Sequence, residues 1–202
     1  MDVGLSNIMA LSDGTVIENP RWLSRSAARI RSLQRGLSRK RKGSRNREKA
    51  REKLAKAWRT VSRQRDDYAH KLSHRLATQN TFVAFEELQV RNMVKNHSLA
   101  SAIMDACWGK LRRLTAYKAE RRGGRVVLVP PEDTSQICSG CGDRVPKDLS
   151  VRTHACPGCG LVLDRDVNAA RNVLQAGLER ARAEAAPLPV QQRRRRIGKF
   201  GR

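Results

Sequence analysis

The chain has 202 residues, with 42 Lys and Arg against 19 Asp and Glu, a formal charge of +23 at pH 7 and a pI near 11.3. Such a field favours a polyanionic partner, while an aromatic content of 4% argues against an extensive base-stacking surface. No apolar run approaches the ~20 residues of a membrane span, and the length suits one embellished domain or two small ones.

Residues 2–11 and 15–18 predict two strands joined by Ser12-Asp13-Gly14, a hairpin signal. Residues 26–37 and 45–78 predict two helices, separated by Ser38-Arg39-Lys40-Arg41-Lys42-Gly43-Ser44. Between Arg25 and Arg65 there are seventeen Lys or Arg and two acids, Glu48 and Glu52. The second helix carries Leu54, Trp58, Val61, Tyr68, Leu72 and Leu76 at three- and four-residue steps, with Arg65 in the gap. That pattern predicts one apolar seam and a basic outer face. Two readings stay open for the hairpin: a solvated pair of helices packed on the domain, or a surface that tracks phosphates. In the second reading the contacts are Arg39, Lys40, Arg41, Lys42, Arg45, Arg47 and Lys49.

Thr81 to Phe85 reads as a buried strand ending at Glu86-Glu87, and residues 99–117 as a helix with Leu99, Ile103, Ala106, Lys110 and Leu114 along one line. Arg125 to Val129 is a second buried strand, stopped by Pro130-Pro131. Residues 165–185 predict a last helix, ended by Ala185-Ala186-Pro187-Leu188-Pro189. The tail after it, with Arg193 to Arg196, Lys199 and Arg202, is expected to be disordered and to bind nucleic acid weakly, without sequence preference. Strands alternating with helices predict an α/β domain.

Cys138-Ser139-Gly140-Cys141 and Cys156-Pro157-Gly158-Cys159 supply four thiolates at a spacing that suits tetrahedral Zn²⁺. Gly142 and Gly160 follow the pairs, where a positive φ lets backbone N–H groups point at the sulfurs. Disulfides are the rival reading. Met1 is followed at once by Asp2 with no signal peptide, and the chain is not cysteine-dense elsewhere, so an intracellular metal site is expected. Four protein ligands leave no open position, which makes the zinc structural. Cys107 reads as a small buried hydrophobe. His70 and His74 are expected to pack or cap, His154 to lie on the surface, and Trp22, Trp58 and Trp108 to pack in the core.

Three acids fall at element ends: Asp2, Glu86 and Asp166. Carboxylates gathered at strand ends can hold paired Mg²⁺ or Mn²⁺ ions for phosphodiester cleavage. Each has a plainer reading. Asp166 complements the positive end of its helix, Asp164 is an N-cap, Glu86 and Glu87 are surface acids, and Asp2 is a frayed terminus.

Four ordered motifs resemble those of the TnpB (OrfB) proteins of insertion sequences, relatives of the compact type V CRISPR nucleases and of Fanzor. They are Asp2-Val3-Gly4-Leu5, then Phe85-Glu86-Glu87-Leu88-Gln89-Val90, then Thr134 to Gly142 with Cys156 to Gly160, then Asp164 to Asn172. The basic stretch from Leu37 to His74 also fits the family's inserted helices.

The resemblance implies an α/β fold with an RNase H-like (RuvC) mixed sheet, an inserted basic helical hairpin and an inserted four-cysteine zinc ribbon. Asp2, Glu86 and Asp166 would be the catalytic acids holding Mg²⁺ or Mn²⁺, and Cys138, Cys141, Cys156 and Cys159 the zinc ligands. The implied activity is RNA-guided DNA cleavage, with DNA and guide RNA as partners in the prokaryotic cytoplasm, at the nucleoid. The implied division is a nuclease core over residues 1–130 with the hairpin at about 25–78, a ribbon over 131–162, a final helix over 163–185 and the tail over 186–202. The family's N-terminal half, with its wedge and recognition elements, has no counterpart in these residues. The Asp2 strand is therefore expected to hold its carboxylate loosely, and the chain not to perform guided cleavage alone. The alternative is a non-catalytic zinc-ribbon remnant that binds nucleic acid.

Overall fold

A computed structural model describes residues 1–148 and 150–185, so the basic tail lies outside the described residues. The chain opens on a tight meander. Strand β1 (Asn7–Ala10) pairs antiparallel with β2 (Val16–Glu18) across a turn where Gly14 takes φ 95°. The strand expected over residues 2–11 is folded back on itself. Asp2 and Ala10 exchange both backbone bonds, Asp2 N–H to Ala10 O at 3.1 Å and Ala10 N–H to Asp2 O at 2.9 Å. The fold-back needs a small residue beside it, since a Cβ on Gly4 would sit 3.0 Å from the Asn7 carbonyl oxygen.

Helix α1 (Trp22–Ser38) and the 35-residue α2 (Arg45–Gln79) form the basic hairpin. Ser44 caps α2, its hydroxyl accepting from Arg47 N–H at 3.2 Å. Ile30, Ala57 and Val61 are the buried contacts between the helices, flanked by Trp22, Leu23, Leu33 and Leu54. Trp58 corrects the expected seam: it is 39% exposed while its neighbour Ala57 is buried. A small residue at the crossing lets the two helices approach closely and turns the indole outward.

Strand β3 (Phe82–Glu86) runs parallel to β4 (Arg125–Val129), in register from Phe82 with Arg125 to Glu86 with Val129. Parallel strands need a long crossover. Here it is helical: α3 (Val90–Met93), α4 (His97–Ala106) and α5 (Trp108–Glu120). The single helix expected over 99–117 is broken at Cys107, whose φ of 54° is left-handed. The break lets Ile103, Ala106, Trp108 and Leu111 all enter the main core. Leu99, on the expected apolar line, stays 44% exposed. Cys107 itself is half-buried at this corner, with burial pushing its thiol up.

The β3–β4 pair is covered on both faces, which explains its unbroken apolar runs. Val83 and Phe85 face α2 and α5 through Leu72, Leu76, Trp108 and Leu111. Ala84, Val127 and Val129 face the last helix, α6, through Val173. Beyond β4 come two short strands, β5 (Thr153–Ala155) and β6 (Val162–Asp164), paired antiparallel, and α6 (Arg165–Ala185) follows β6 directly. Among the described residues, no helix is long and apolar enough to cross a membrane.

Candidate active site and metal centre

The four cysteines converge as their spacing predicts. Their sulfurs all lie within 4.8 Å of one another, with Cys138 to Cys159 at 3.7 Å and Cys141 to Cys156 at 3.5 Å. A tetrahedron with metal–sulfur bonds of ~2.3 Å has edges of about 3.8 Å, so the quartet fits Zn²⁺. The two knuckles are built alike. Gly142 N–H donates to Cys138 O at 2.9 Å and Gly160 N–H to Cys156 O at 3.0 Å, with φ of 83° and 73° at the two glycines. Burial acts to raise the Cys138 thiol. Backbone N–H groups of Cys141 and Gly140, with His154 and Cys156, outweigh it and bring the thiol down to about 6.

His154 corrects an expectation. It is fully buried rather than on the surface. Its Nδ1 pairs with the Lys147 amine, and the ring helps lower the Cys138 thiol. A residue of this kind steadies a metal-bound thiolate from behind the ligand shell.

The three acids act on one another electrostatically without forming a closed ligand cluster. Asp2 stands on the backbone bridge to Ala10, and the nitrogen of Met1 donates to Ala84 O of β3 at 2.9 Å. Both contacts tie the backbone at Asp2 to its neighbours. Glu86 ends β3, 8% exposed, and Asp166 lies in the first turn of α6. The Asp2 and Glu86 carboxyl groups are close enough to act on each other's protonation, and Asp166 acts on both through its charge. Burial first, then the charges of Glu86 and Asp166, push Asp2 up to about 8. Burial also raises Glu86, partly offset by the Thr134 hydroxyl, which donates to Glu86 Oε1 at 2.7 Å. Oxygen donors of like charge held together out of water fit a hard divalent cation.

Asp166 is held differently. Arg165 donates to its Oδ1 from Nε at 3.1 Å and from Nη2 at 3.0 Å, and Arg152 Nη1 lies 3.7 Å from Oδ2. Among the described residues only the cysteines gather ligand atoms within 4.8 Å, so the acids are convergent but not closed. Asp164 is the N-cap of α6, its Oδ1 accepting from Asp166 N–H at 2.8 Å and Val167 N–H at 3.1 Å.

What joins the two centres is absent from the expected site residues. Asn168 is fully buried; it donates to Ile137 O at 2.7 Å and accepts from Ser139 N–H at 2.9 Å. Asn172, one turn on, donates to Thr134 O at 2.8 Å and Ile137 O at 2.7 Å. The signal was present: asparagines at i and i+4 in the last motif share one helix face.

The basic cluster is not brought to the acids. Arg45 precedes Leu72, which lies in the main core, by 27 residues along α2, about 40 Å at 1.5 Å per residue. Arg39, Lys40, Arg41, Lys42, Arg45 and Lys49 are exposed at that far end. Arg47 is half-buried there and closes α1, donating to Leu37 O at 3.1 Å and Lys40 O at 3.2 Å.

Residues 1–97 match the OrfB_IS605 family, described as "Probable transposase", and residues 108–173 match "Cas12f1-like, TNB domain". A relative from Streptomyces pristinaespiralis named "Putative RNA-guided DNA endonuclease" is 45% identical over 180 residues, 88% of this chain and 44% of the relative. The InsQ relative of Escherichia coli K12, which carries the same name, is 35% identical over 193 residues, 88% of this chain and 48% of its own. The chain thus spans about half the length of the curated relatives it matches. The fold is that of a chain in the "Cryo-EM structure of the Cas12f1-sgRNA-target DNA complex", at a TM-score of 0.58 and 17% identity, over 85% of this chain and 47% of that one. Two adjoining family matches and these relatives place the chain in the TnpB (OrfB) family of transposon-associated proteins.

Proposed function

We propose that this chain carries the nuclease centre of the family, with Asp2, Glu86 and Asp166 as carboxylate ligands for Mg²⁺ or Mn²⁺ and DNA as substrate. The carrying observation is that the Asp2–Ala10 bridge, the end of β3 and the first turn of α6 present three acids that act on one another through their charge. Bound there, divalent ions would activate water and stabilise the leaving oxygen of a phosphodiester. The protein's part is placement. The Asp2–Ala10 bridge, the β3–β4 register and the α6 N-terminus each present one acid, and Thr134 orients Glu86.

The Met1–Ala84 and Asp2–Ala10 bonds support reading the β1–β2 and β3–β4 pairs as parts of one RNase H-like (RuvC) sheet. On this reading residues 1–130 and 163–185 form the nuclease core, with the basic hairpin inserted at about 25–78. Residues 131–162 form a structural zinc ribbon. The names of the relatives, and the guide RNA and target DNA bound in the similar Cas12f1 complex, support the same two partners for the full assembly.

The test is cleavage of single-stranded DNA with Mg²⁺ or Mn²⁺, compared with Asp166→Ala. Metal-dependent nicking that vanishes in the variant is expected. Activity no higher than the variant's, with binding intact, would leave a nucleic-acid-binding remnant. The arginine contacts on Asp166 are the observation that favours that second reading.

A further inference from the structure

Trp58 sits on the exposed face of α2, at 39% exposure, outside the apolar cluster that joins the hairpin. Of the other tryptophans, Trp108 is 7% exposed in the main core and Trp22 is packed against the hairpin cluster. One helical turn to either side of Trp58 along its stripe stand Ala55 and Ser62, both exposed and both small. Among the described residues no cation or aromatic ring stacks on the Trp58 indole. Around it the helix is strongly basic: from Arg45 to Arg63 there are eight Lys or Arg and two Glu. None of those eight cations takes part in an ion pair among the described residues. Arg51, two turns away on the same stripe, and Arg59, the next residue, are both exposed.

An exposed aromatic plane amid unpaired cations has a specific chemical complement. The cations suit a phosphate backbone. The indole face suits a flat ring that has left its own stack, because a duplex presents phosphates and groove edges but no base faces. A protein partner would not need this density of free positive charge. We infer that Trp58 is a stacking platform for an unpaired nucleobase, with Arg51 and Arg59 gripping the phosphates beside it. The site is single-strand specific and separate from the carboxylate centre. It rests on the chain's nucleic-acid partner and not on catalysis.

The test is binding by the full chain, in buffer without added divalent metal, to fluorescently labelled 20-nucleotide dT, 20-nucleotide rU and a 20-base-pair DNA duplex. Stacking on an aromatic contributes enough that Trp58→Ala should weaken single-strand binding by about 5- to 100-fold. Duplex binding should change by less than about twofold, since its phosphate contacts remain. The dependence of log affinity on log salt should keep its slope in Trp58→Ala and become shallower by about 0.7 in Arg59→Gln. Trp58→Phe should retain part of the affinity. Tryptophan emission should be quenched by the single strands in the parent chain and much less in Trp58→Phe. A loss confined to rU or to dT assigns the base to RNA or to DNA. Equal loss on duplex and single strand, or no loss in Trp58→Ala, overturns the inference. Because no metal is added, these outcomes are independent of whether Asp166→Ala abolishes cleavage.

Discussion

Asn168 of α6 holds both ends of the first cysteine knuckle, donating to Ile137 O at 2.7 Å and accepting from Ser139 N–H at 2.9 Å. It stands two residues after Asp166, so one turn of helix fixes the metal ribbon and presents the third acid. Asn168→Ala leaves the Ser139 N–H without a partner in a half-buried place, a loss of about 1 kcal/mol. Ile137 O keeps its bond from Asn172. A lowered melting temperature with one zinc still bound per chain, by metal analysis, is the expected result. Unchanged melting would mean that the ribbon is seated by other contacts.

Zinc removal should reach further than the ribbon. Thr134, which donates to Glu86, is itself held by Asn172 through its carbonyl oxygen. Cys138→Ser removes a ligand and a fully enclosed sulfur, and structural zinc sites supply folding free energy directly. The expectation is zinc stoichiometry near zero, with faster hydrogen exchange at residues 133–165 and in the first turns of α6. Protection in β3 and β4 should persist, because Val173, Ala84 and Val127 pack there without the ribbon.

The Asp2–Glu86 pair sets a pH dependence with a definite sign. Asp2 rises from 3.8 to about 8 through burial and the charges of Glu86 and Asp166. The folded protein therefore binds a proton that the unfolded chain releases. Stability from this group is full below pH 3.8 and is lost progressively as pH rises through about 8. The raised Glu86 acts in the same direction. Burial brings the Met1 amino group down from 8.0 to about 6, which acts the other way between pH 6 and 8. The Asp2 contribution is therefore read as a difference: between pH 6 and 9 in magnesium-free buffer, the urea midpoint of the parent should fall relative to that of Asp2→Asn, and millimolar Mg²⁺ should oppose this relative fall by favouring the ionised pair. A parent midpoint that rises relative to Asp2→Asn with pH would contradict the buried pair.

Parts of this architecture were legible in the sequence and parts were not. The cysteine spacing and the two following glycines reported the knuckles correctly, because metal ligation leaves little geometric freedom. Ser44 marked the start of α2, and the apolar runs at Phe82 and Arg125 marked strands covered on both faces. Trp58 misled because large apolar residues draw the eye, whereas a close helix crossing is made by a small one, Ala57. The helix break at Cys107 carries no Gly, Asn or Pro signal, and burial of Trp108 and Leu111 imposes it from the tertiary level. His154 was recoverable: in Thr153-His154-Ala155 the strand alternation turns only the middle side chain inward. The fold-back of Asp2 onto Ala10 was missed because residues 2–11 read as one strand, although Gly4, Ser6 and Asn7 are turn residues within it.

Helix α6 passes so close to β3 that Gly177 has no room for a side chain; a Cβ there would lie 2.6 Å from Ala84 Cβ and 3.5 Å from the Phe82 ring. Gly177→Ala gains helix propensity of ~1 kcal/mol, but it forces the helix away from the strand, and overpacking typically costs about 1–3 kcal/mol. The net expectation is destabilisation, larger for Gly177→Val, in chemical denaturation. A stabilised Gly177→Ala would show that α6 can shift without loss.

Arg152 reaches from the ribbon to Asp166 Oδ2 at 3.7 Å and to Ser6 Oγ at 3.4 Å, so one half-exposed cation spans the two sides of the proposed metal site. A positive charge there opposes a divalent ion electrostatically. Solvent around this half-exposed guanidinium screens most of that repulsion, leaving on the order of 1 kcal/mol. Arg152→Gln should therefore tighten Mn²⁺ binding by roughly two- to fivefold, measured by calorimetry on the zinc-loaded chain. The same change should leave the zinc content and the melting temperature without metal almost unaltered, since no buried group loses its only partner. Weaker Mn²⁺ binding in Arg152→Gln would mean that the arginine organises Asp166 for the ion rather than competing with it.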